Sequence, residues 1–361
     1  MNSTKCIYGY KVLLCFLVVS GHMYNFIGGR YIWGIPMLGG IGARAVDGFF
    51  LITAFLTMLS YEKRPCNSKK FIMKRFWRLY PVYIVCLLLA YITEPIRTGI
   101  QEKILFYLTG NNIGAWGMSY VKEPFASVND FLQHVFLIHG IFDKTSETTI
   151  LGTFWTMSVE WIYYVFFALF VIILLKKNNK CNKWFTRLFM ISIASGLVIY
   201  VLNFKEDPQR NFIRCLPIFF YGMIMATKSY EKKKELYLLG VILCIYLMVL
   251  DKSQNWVSCG IIMFMTVLLF EKNKVLEMFH KILSCSLMEY LCKRSYVVYL
   301  THTIVMPFCF FCGYKISKLF YHNLLLFFFV SILIFLITMA IISQILYLFV
   351  EAKFPMKVSN K

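Results

Sequence analysis

Apolar residues in this chain fall into long blocks separated by short polar stretches. Most blocks approach the roughly 20 residues that a membrane-crossing helix needs. The pattern predicts helical spans near 12–27, 46–60, 79–93, 159–175, 188–202, 212–227, 236–250, 256–270, 296–312 and 322–350. The last block is long enough to tilt or to extend along the interface. The first contains His22 and is followed by bulky residues, not by a small-residue cleavage site, so it is read as the first membrane helix and not as a cleaved leader.

Composition sharpens this picture. The chain is 59% hydrophobic and 16% charged, where a soluble domain is nearer half apolar and a quarter charged. Mean hydropathy is +0.64. The expectation is an all-α, polytopic transmembrane bundle of about ten spans, forming a single domain over 1–361. The net charge of +20 would suggest nucleic acid in a soluble protein. Here the basic residues cluster between spans, in 61–78 (Lys63, Arg64, Lys69, Lys70, Lys74, Arg75, Arg78), 176–187 (Lys176, Lys177, Lys180, Lys183, Arg187) and 228–235 (Lys228, Lys232, Lys233, Lys234). Ten spans place these clusters, 271–295 and both termini on one side. By the positive-inside rule that side is cytoplasmic, in the inner cell membrane, with membrane lipid as a partner and no nucleic acid. The segment 94–158 becomes a large outer loop, with an apolar patch at 131–142 that is interfacial or re-entrant. The scattered cysteines, including the Cys309–Cys312 pair, read as small apolar filler, and no metal site is expected.

Ionisable residues inside spans are costly and face a bundle interior or a wet cavity. The candidates are His22, Asp47, Glu160, Arg214 and His302. Lys11 and His22 are eleven residues apart, about three turns plus 20°, so they share a helix face with a rise of roughly 16 Å. A long anionic cytosolic molecule could lie along that face; equally, Lys11 is a simple anchor and His22 a packed core residue. Arg75 and Arg78 form an i,i+3 guanidinium pair suited to phosphate, or another anchor. Asp47 caps the second span or serves a site. Arg214 pairs with a carboxylate or snorkels outward. His302, one turn after Tyr299, is a satisfied core histidine or a functional one. Glu160, at the expected outer start of its helix, gains from the helix dipole, which does not explain its companions Trp155, Ser158, Tyr163 and Tyr164.

These pieces resemble the acyltransferase type 3 family of integral-membrane acyltransferases. The resemblance runs in order through "KVLLCFLVVSGH", "VDGFFLITAFL", "KRFWRLYPVYI", "FWTMSVEWIYY", "RCLPIFFYGM" and "VYLTHTIVMP". Lys11 stands where the family usually has arginine, and "ITAF" replaces a more usual Ser-Gly-Phe. The resemblance implies transfer of an acyl group, most often acetyl from acetyl-CoA, to a hydroxyl of an extracytoplasmic or lipid-linked saccharide, with no permanently bound cofactor. It maps the catalytic histidine onto His22, with Glu160 beside it, and the donor contacts onto Lys11, Arg75 and Arg78. Asp47, Trp155, Ser158, Tyr163, Arg214 and His302 are the expected substrate contacts. No extra outer domain follows the membrane region, so a stand-alone enzyme is expected. A polysaccharide polymerase or lipid-linked saccharide transporter would also have about ten spans, but needs neither the Lys11–His22 phase nor the Arg75–Arg78 pair. A non-enzymatic interaction protein would leave the polar span residues without a purpose.

Overall fold

The computed structural model describes residues 4–111, 128–139, 150–177, 181–202, 212–227, 233–251, 255–321 and 323–353. Lys180, Lys228, Lys232 and the end of the 131–142 patch lie outside them. All regular structure among the described residues is helical. The chain begins with α1 (Cys6–Phe26), a short α2 (Gly29–Trp33), α3 (Pro36–Lys63) and α4 (Ser68–Thr109). Then come α5 (Val128–Val135) and α6 (Trp155–Phe166), which passes through a π segment (Phe167–Val171) into α7 (Ile172–Lys177). The remainder is α8 (Cys181–Leu202), α9 (Phe212–Thr227), α10 (Lys233–Leu250), α11 (Asn255–Phe270), α12 (Lys274–Leu283), α13 (Ser286–Leu319) and α14 (Leu324–Phe349). Seven of the helical stretches are long and apolar enough to cross a membrane, and α9 and α11 are shorter apolar helices. Each of the ten predicted spans coincides with one of the longer helices.

Two boundaries differ from the sequence expectation. The second span starts at Pro36, so Asp47 lies mid-helix and caps nothing. The glycines ahead of Asp47 lie within this helix and serve close packing. A Cβ on Gly21 of α1 would stand 2.8 Å from the backbone N of Gly42 in α3. Small residues permit such backbone approach where lipid gives helices no hydrophobic reason to associate. The third span runs on to Thr109, so the outer loop begins later than residue 94. Pro95 removes a ladder donor, and Arg97 folds back to donate to the Ala90 carbonyl at 2.8 Å.

Within the bundle, α3 packs between α1 and α9. At the α3–α9 crossing a Cβ on Gly222 would meet Leu51 O at 2.6 Å. The interface is locked by a buried ion pair, in which Arg214 donates to both oxygens of Asp47 at 2.5 and 3.0 Å. Ser258 of α11 adds a bond to Asp47 at 2.6 Å. Arg44 and Asp251 tie α3 to the end of α10 in the same way, at 2.5 Å. A second apolar cluster, formed by Phe26, Ile100, Ile104, Met306, Phe310 and Phe327 among others, joins the ends of α1, α4, α13 and α14.

Breaking one side of the Asp47–Arg214 pair strands a buried charge. Arg214→Leu should therefore cost about 3–5 kcal/mol, and Asp47→Leu/Arg214→Leu should recover most of it. Thermal unfolding in detergent reads both, and a double variant no more stable than the single one would contradict this assignment.

Candidate active site

The site is built where α1, α3, α4, α6 and α13 converge. Its lower part is a cavity of about 600 Å³ of empty space, including its mouth. Lys11 of α1 and Arg78 of α4 stand on its wall with Glu160 of α6, and Ser295, Tyr296 and Tyr299 of α13 form the opposite side. Phe49, Phe50 and Thr53 of α3 and Thr156 of α6 also line it, with Val46, Leu79 and Met157 adding apolar surface. Two cations and one carboxylate among apolar and hydroxyl groups make this a pocket for an anionic, amphipathic ligand.

Glu160 is part of this basic cavity and is not at the outer surface. Its Oε1 accepts from Tyr164 at 2.6 Å and from Thr53 at 3.4 Å. Arg75 does not line the cavity; its guanidinium lies over the Phe71 and Tyr164 rings, 5.2 and 4.9 Å from their centroids. It thereby backs the tyrosine that holds Glu160.

The depth of Glu160 follows from the path of the chain. Helix α6 runs antiparallel to α4, with Ser68 donating to Ala168 O at 2.6 Å at one end and Tyr83 against Phe154 at 5.2 Å at the other. Helix α6 thus starts partway along α4, less than two turns from Arg78. The preceding segment descends to meet it. Phe131 of α5 packs on Tyr91 at 4.8 Å, and the hydroxyls of Tyr80 and Tyr83 donate to Val135 O at 3.0 Å and His134 O at 2.9 Å. Irregular backbone is tolerated at such depth only when protein satisfies its polar groups. His139 supplies another donor to Phe154 O at 2.9 Å, its ring stacked on His134 at 3.9 Å, and Arg97 reaches Ile150 O at 3.3 Å. The described part of the 131–142 patch therefore packs along α4 beside Tyr80, Tyr83 and Tyr91.

Above the cavity, α1 and α13 bring two imidazoles together. His22 Nδ1 donates to Val18 O at 2.9 Å, and His302 Nδ1 donates to Val298 O at 3.1 Å. His302 Nε2 is then an acceptor, 3.3 Å from His22 Nδ1. This network fixes the tautomers: the His22 Nδ1 proton is shared, and Nε2 carries the lone pair. Neither imidazole lines the cavity. Between them and it stands Tyr299, its ring 6.1 Å from that of His302.

Of the residues singled out from sequence, Lys11, Arg78 and Glu160 come together in the cavity, and His22 and His302 pair above it. Asp47 and Arg214 are consumed by each other in the helix packing. Tyr163 stacks on Phe219 at 4.2 Å, Ser158 is fully buried, and Trp155 packs edge-on against Phe50 at 5.8 Å, so none of the three lines the cavity. The sequence reading missed Thr53, Thr156, Tyr296 and Tyr299 as lining groups. Thr156 is one turn from Glu160, and Tyr296 and Tyr299 precede His302 at i,i+3 spacing, which is the signal that could have found them. Among the described residues no group of three or more His, Cys, Asp or Glu could hold a metal.

Fold and site define a polytopic membrane protein whose basic cavity leads toward a histidine pair. The chain belongs to the acyltransferase domain family, whose profile matches residues 6–343. It is similar to a Staphylococcus aureus (strain COL) protein named "Putative O-acetyltransferase", with 23% identity over 353 residues, 85% of this chain and 53% of the relative. A protein of the same name from strain MRSA252 matches equally. The chain spans about half the length of these relatives. An uncharacterised protein of Haemophilus influenzae (strain Rd) is 25% identical over 160 residues, 42% of this chain and 60% of its own length. No solved structure matches.

The segment around α5 depends on donors from α4. Tyr83→Phe removes one of two donors to the His134 carbonyl, the other being Leu137 N–H at 3.0 Å, at a cost of about 0.5–1.5 kcal/mol. Amide hydrogen exchange over 128–139 should speed accordingly; unchanged protection would show that the hydroxyl does not hold this segment in place.

Proposed function

We propose that this protein is a membrane O-acyltransferase that moves an acetyl group from cytosolic acetyl-CoA to a hydroxyl of a surface polysaccharide or its lipid-linked precursor. The observation that carries the reading is that Lys11 and His22 stand on one unbroken helix, with the basic cavity at the level of the first and the imidazole pair at the level of the second. Their separation of roughly 16 Å suits a donor with phosphates at one end and a thioester at the other. The basic loops face the cytosol in this reading, and the acceptor arrives from the opposite side of the inner membrane.

Lys11 and Arg78 bind the phosphates of the donor, with Arg75 supporting them from behind Tyr164. Arg78 can grip a phosphate through two parallel N–H bonds, whereas Lys11 contributes a point charge. Glu160 accepts hydrogen bonds from the polar arm of the donor and balances part of the local positive charge. The pantetheine arm runs along α13, past Ser295 and Tyr296, toward Tyr299.

At the far end, the tautomer of His22 suits it to act as general base. The acceptor hydroxyl oxygen attacks the thioester carbonyl carbon as Nε2 of His22 takes the hydroxyl proton. The tetrahedral intermediate collapses, the C–S bond breaks, and the leaving thiolate recovers the proton from His22. Positive charge on His22 in the intervening state is stabilised by the Val18 carbonyl and by the lone pair of His302, which acts as a positioning residue. Asp47, Trp155, Ser158, Tyr163 and Arg214 act through packing.

General-base catalysis contributes about 10²–10⁴-fold. His22→Ala should lower kcat by that factor in a purified assay with acetyl-CoA and acceptor glycan, with the melting temperature preserved; full activity in this variant would overturn the role of His22. CoA should stabilise the wild-type protein by ligand linkage, and Arg78→Ala should weaken that shift. A protein that gains no stability from CoA and transfers no acetyl group would point instead to a polymerase or transporter.

A further inference from the structure

The donor cavity ends before it reaches the imidazoles. Its lining includes Phe49, Thr156 and Tyr299, and neither His22 nor His302 contributes to its surface. Tyr299 is 8% exposed and is held at both ends. Its hydroxyl lies 2.9 Å from Thr156 Oγ1 and 3.3 Å from Thr153 O. Its ring packs edge-on against Phe49 at 5.9 Å on one side and lies 6.1 Å from His302 on the other. Thr156 is itself anchored to Thr153 O at 3.0 Å. The hydroxyl network and Phe49 thus fix an aromatic ring that lines the cavity on one side and neighbours His302 on the other.

We propose that Tyr299 is a specificity-determining residue: its latched ring separates the donor cavity from His22 and keeps water of the cavity from following the thioester to the base. This inference rests on the acyltransferase reading above. Any donor thioester that passes Tyr299 meets a base able to activate water as well as an alcohol. In that side reaction water adds its oxygen to the thioester carbonyl, the C–S bond breaks, and acetate and the free thiol leave, with His22 carrying the proton between them. A ring that fills the passage around the pantetheine arm suppresses this loss, since a narrow apolar collar admits the arm and excludes the water that would travel with it. The latch on Thr156 keeps the collar shut when no donor is present.

The test compares wild type with Tyr299→Phe, Thr156→Val and Tyr299→Ala, each purified and shown to fold by its melting temperature. Free thiol released from acetyl-CoA is measured without acceptor, and acetyl transferred per thiol released is measured with acceptor glycan. Losing the latch alone, in Tyr299→Phe or Thr156→Val, should raise acceptor-independent thiol release about fivefold, the factor a single net hydrogen bond supplies. Losing the ring, in Tyr299→Ala, should raise it about tenfold or more and lower the transfer-to-release ratio. Adding His22→Ala to Tyr299→Ala should return release to the wild-type background, which a merely structural defect would not do. Wild-type release and coupling in folded Tyr299→Ala would overturn the proposal. Should Tyr299→Ala fail to fold, wild-type release in both latch variants overturns it equally. A wild-type protein that transfers no acetyl group would instead sink the functional reading.

Discussion

Lipid offers a buried polar group no water, so each one must find its partner within the protein. That constraint organises this molecule more than any apolar contact does. It draws Arg214 onto Asp47 and Arg44 onto Asp251. It recruits Tyr80, Tyr83, Arg97 and His139 as donors to the carbonyls of Val135, His134, Ile150 and Phe154, at or beyond helix ends. It also fixes the imidazole pair, since each ring answers a carbonyl of its own helix before meeting the other. The candidate site is the part of the bundle where such partners are charged or hydroxyl-bearing and still reach an open space.

The segment that leads into α6 connects this constraint to chemistry. Because α6 begins partway along α4, its first turns present Thr156 and Glu160 to the cavity rather than to the outer surface. An α6 that started at the surface would carry the same residues out of reach of Lys11 and Arg78. The π segment that follows rephases the helix, as such wide turns do. Ser68 bonds to Ala168 within it, and Phe71 stacks on Phe167 at 5.0 Å, so α4 and α6 stay joined below the carboxylate.

Much of this architecture could be read from the chain. The ten spans emerge because apolar blocks of membrane length leave a periodic imprint, and the Lys11–His22 phase follows from helical geometry alone. Two helix boundaries and the surroundings of Glu160 are less legible. The expected second span began at 46, whereas α3 starts ten residues earlier and its glycines allow α1 and α3 to touch. The expected third span ended at 93, whereas α4 runs through Pro95 to Thr109. Around Glu160, nearness in sequence is not nearness in space: Ser158 lies about 200° away around the helix and turns into the core. His302 was visible as a polar intruder, but its pairing with His22 joins residues 280 apart and leaves no local trace.

Helix α1 carries no proline, and its close contact at Gly21–Gly42 holds it against α3. It therefore works as a ruler whose two marks are Lys11 and His22. Adjusting the length of that ruler is not a gradual affair. One extra residue between the marks would swing His22 by about 100°, whereas four would lift it about 6 Å and nearly restore its bearing. Related chains that serve donors with a longer or shorter arm should therefore differ here in whole turns, or else move the charged mark to another helix.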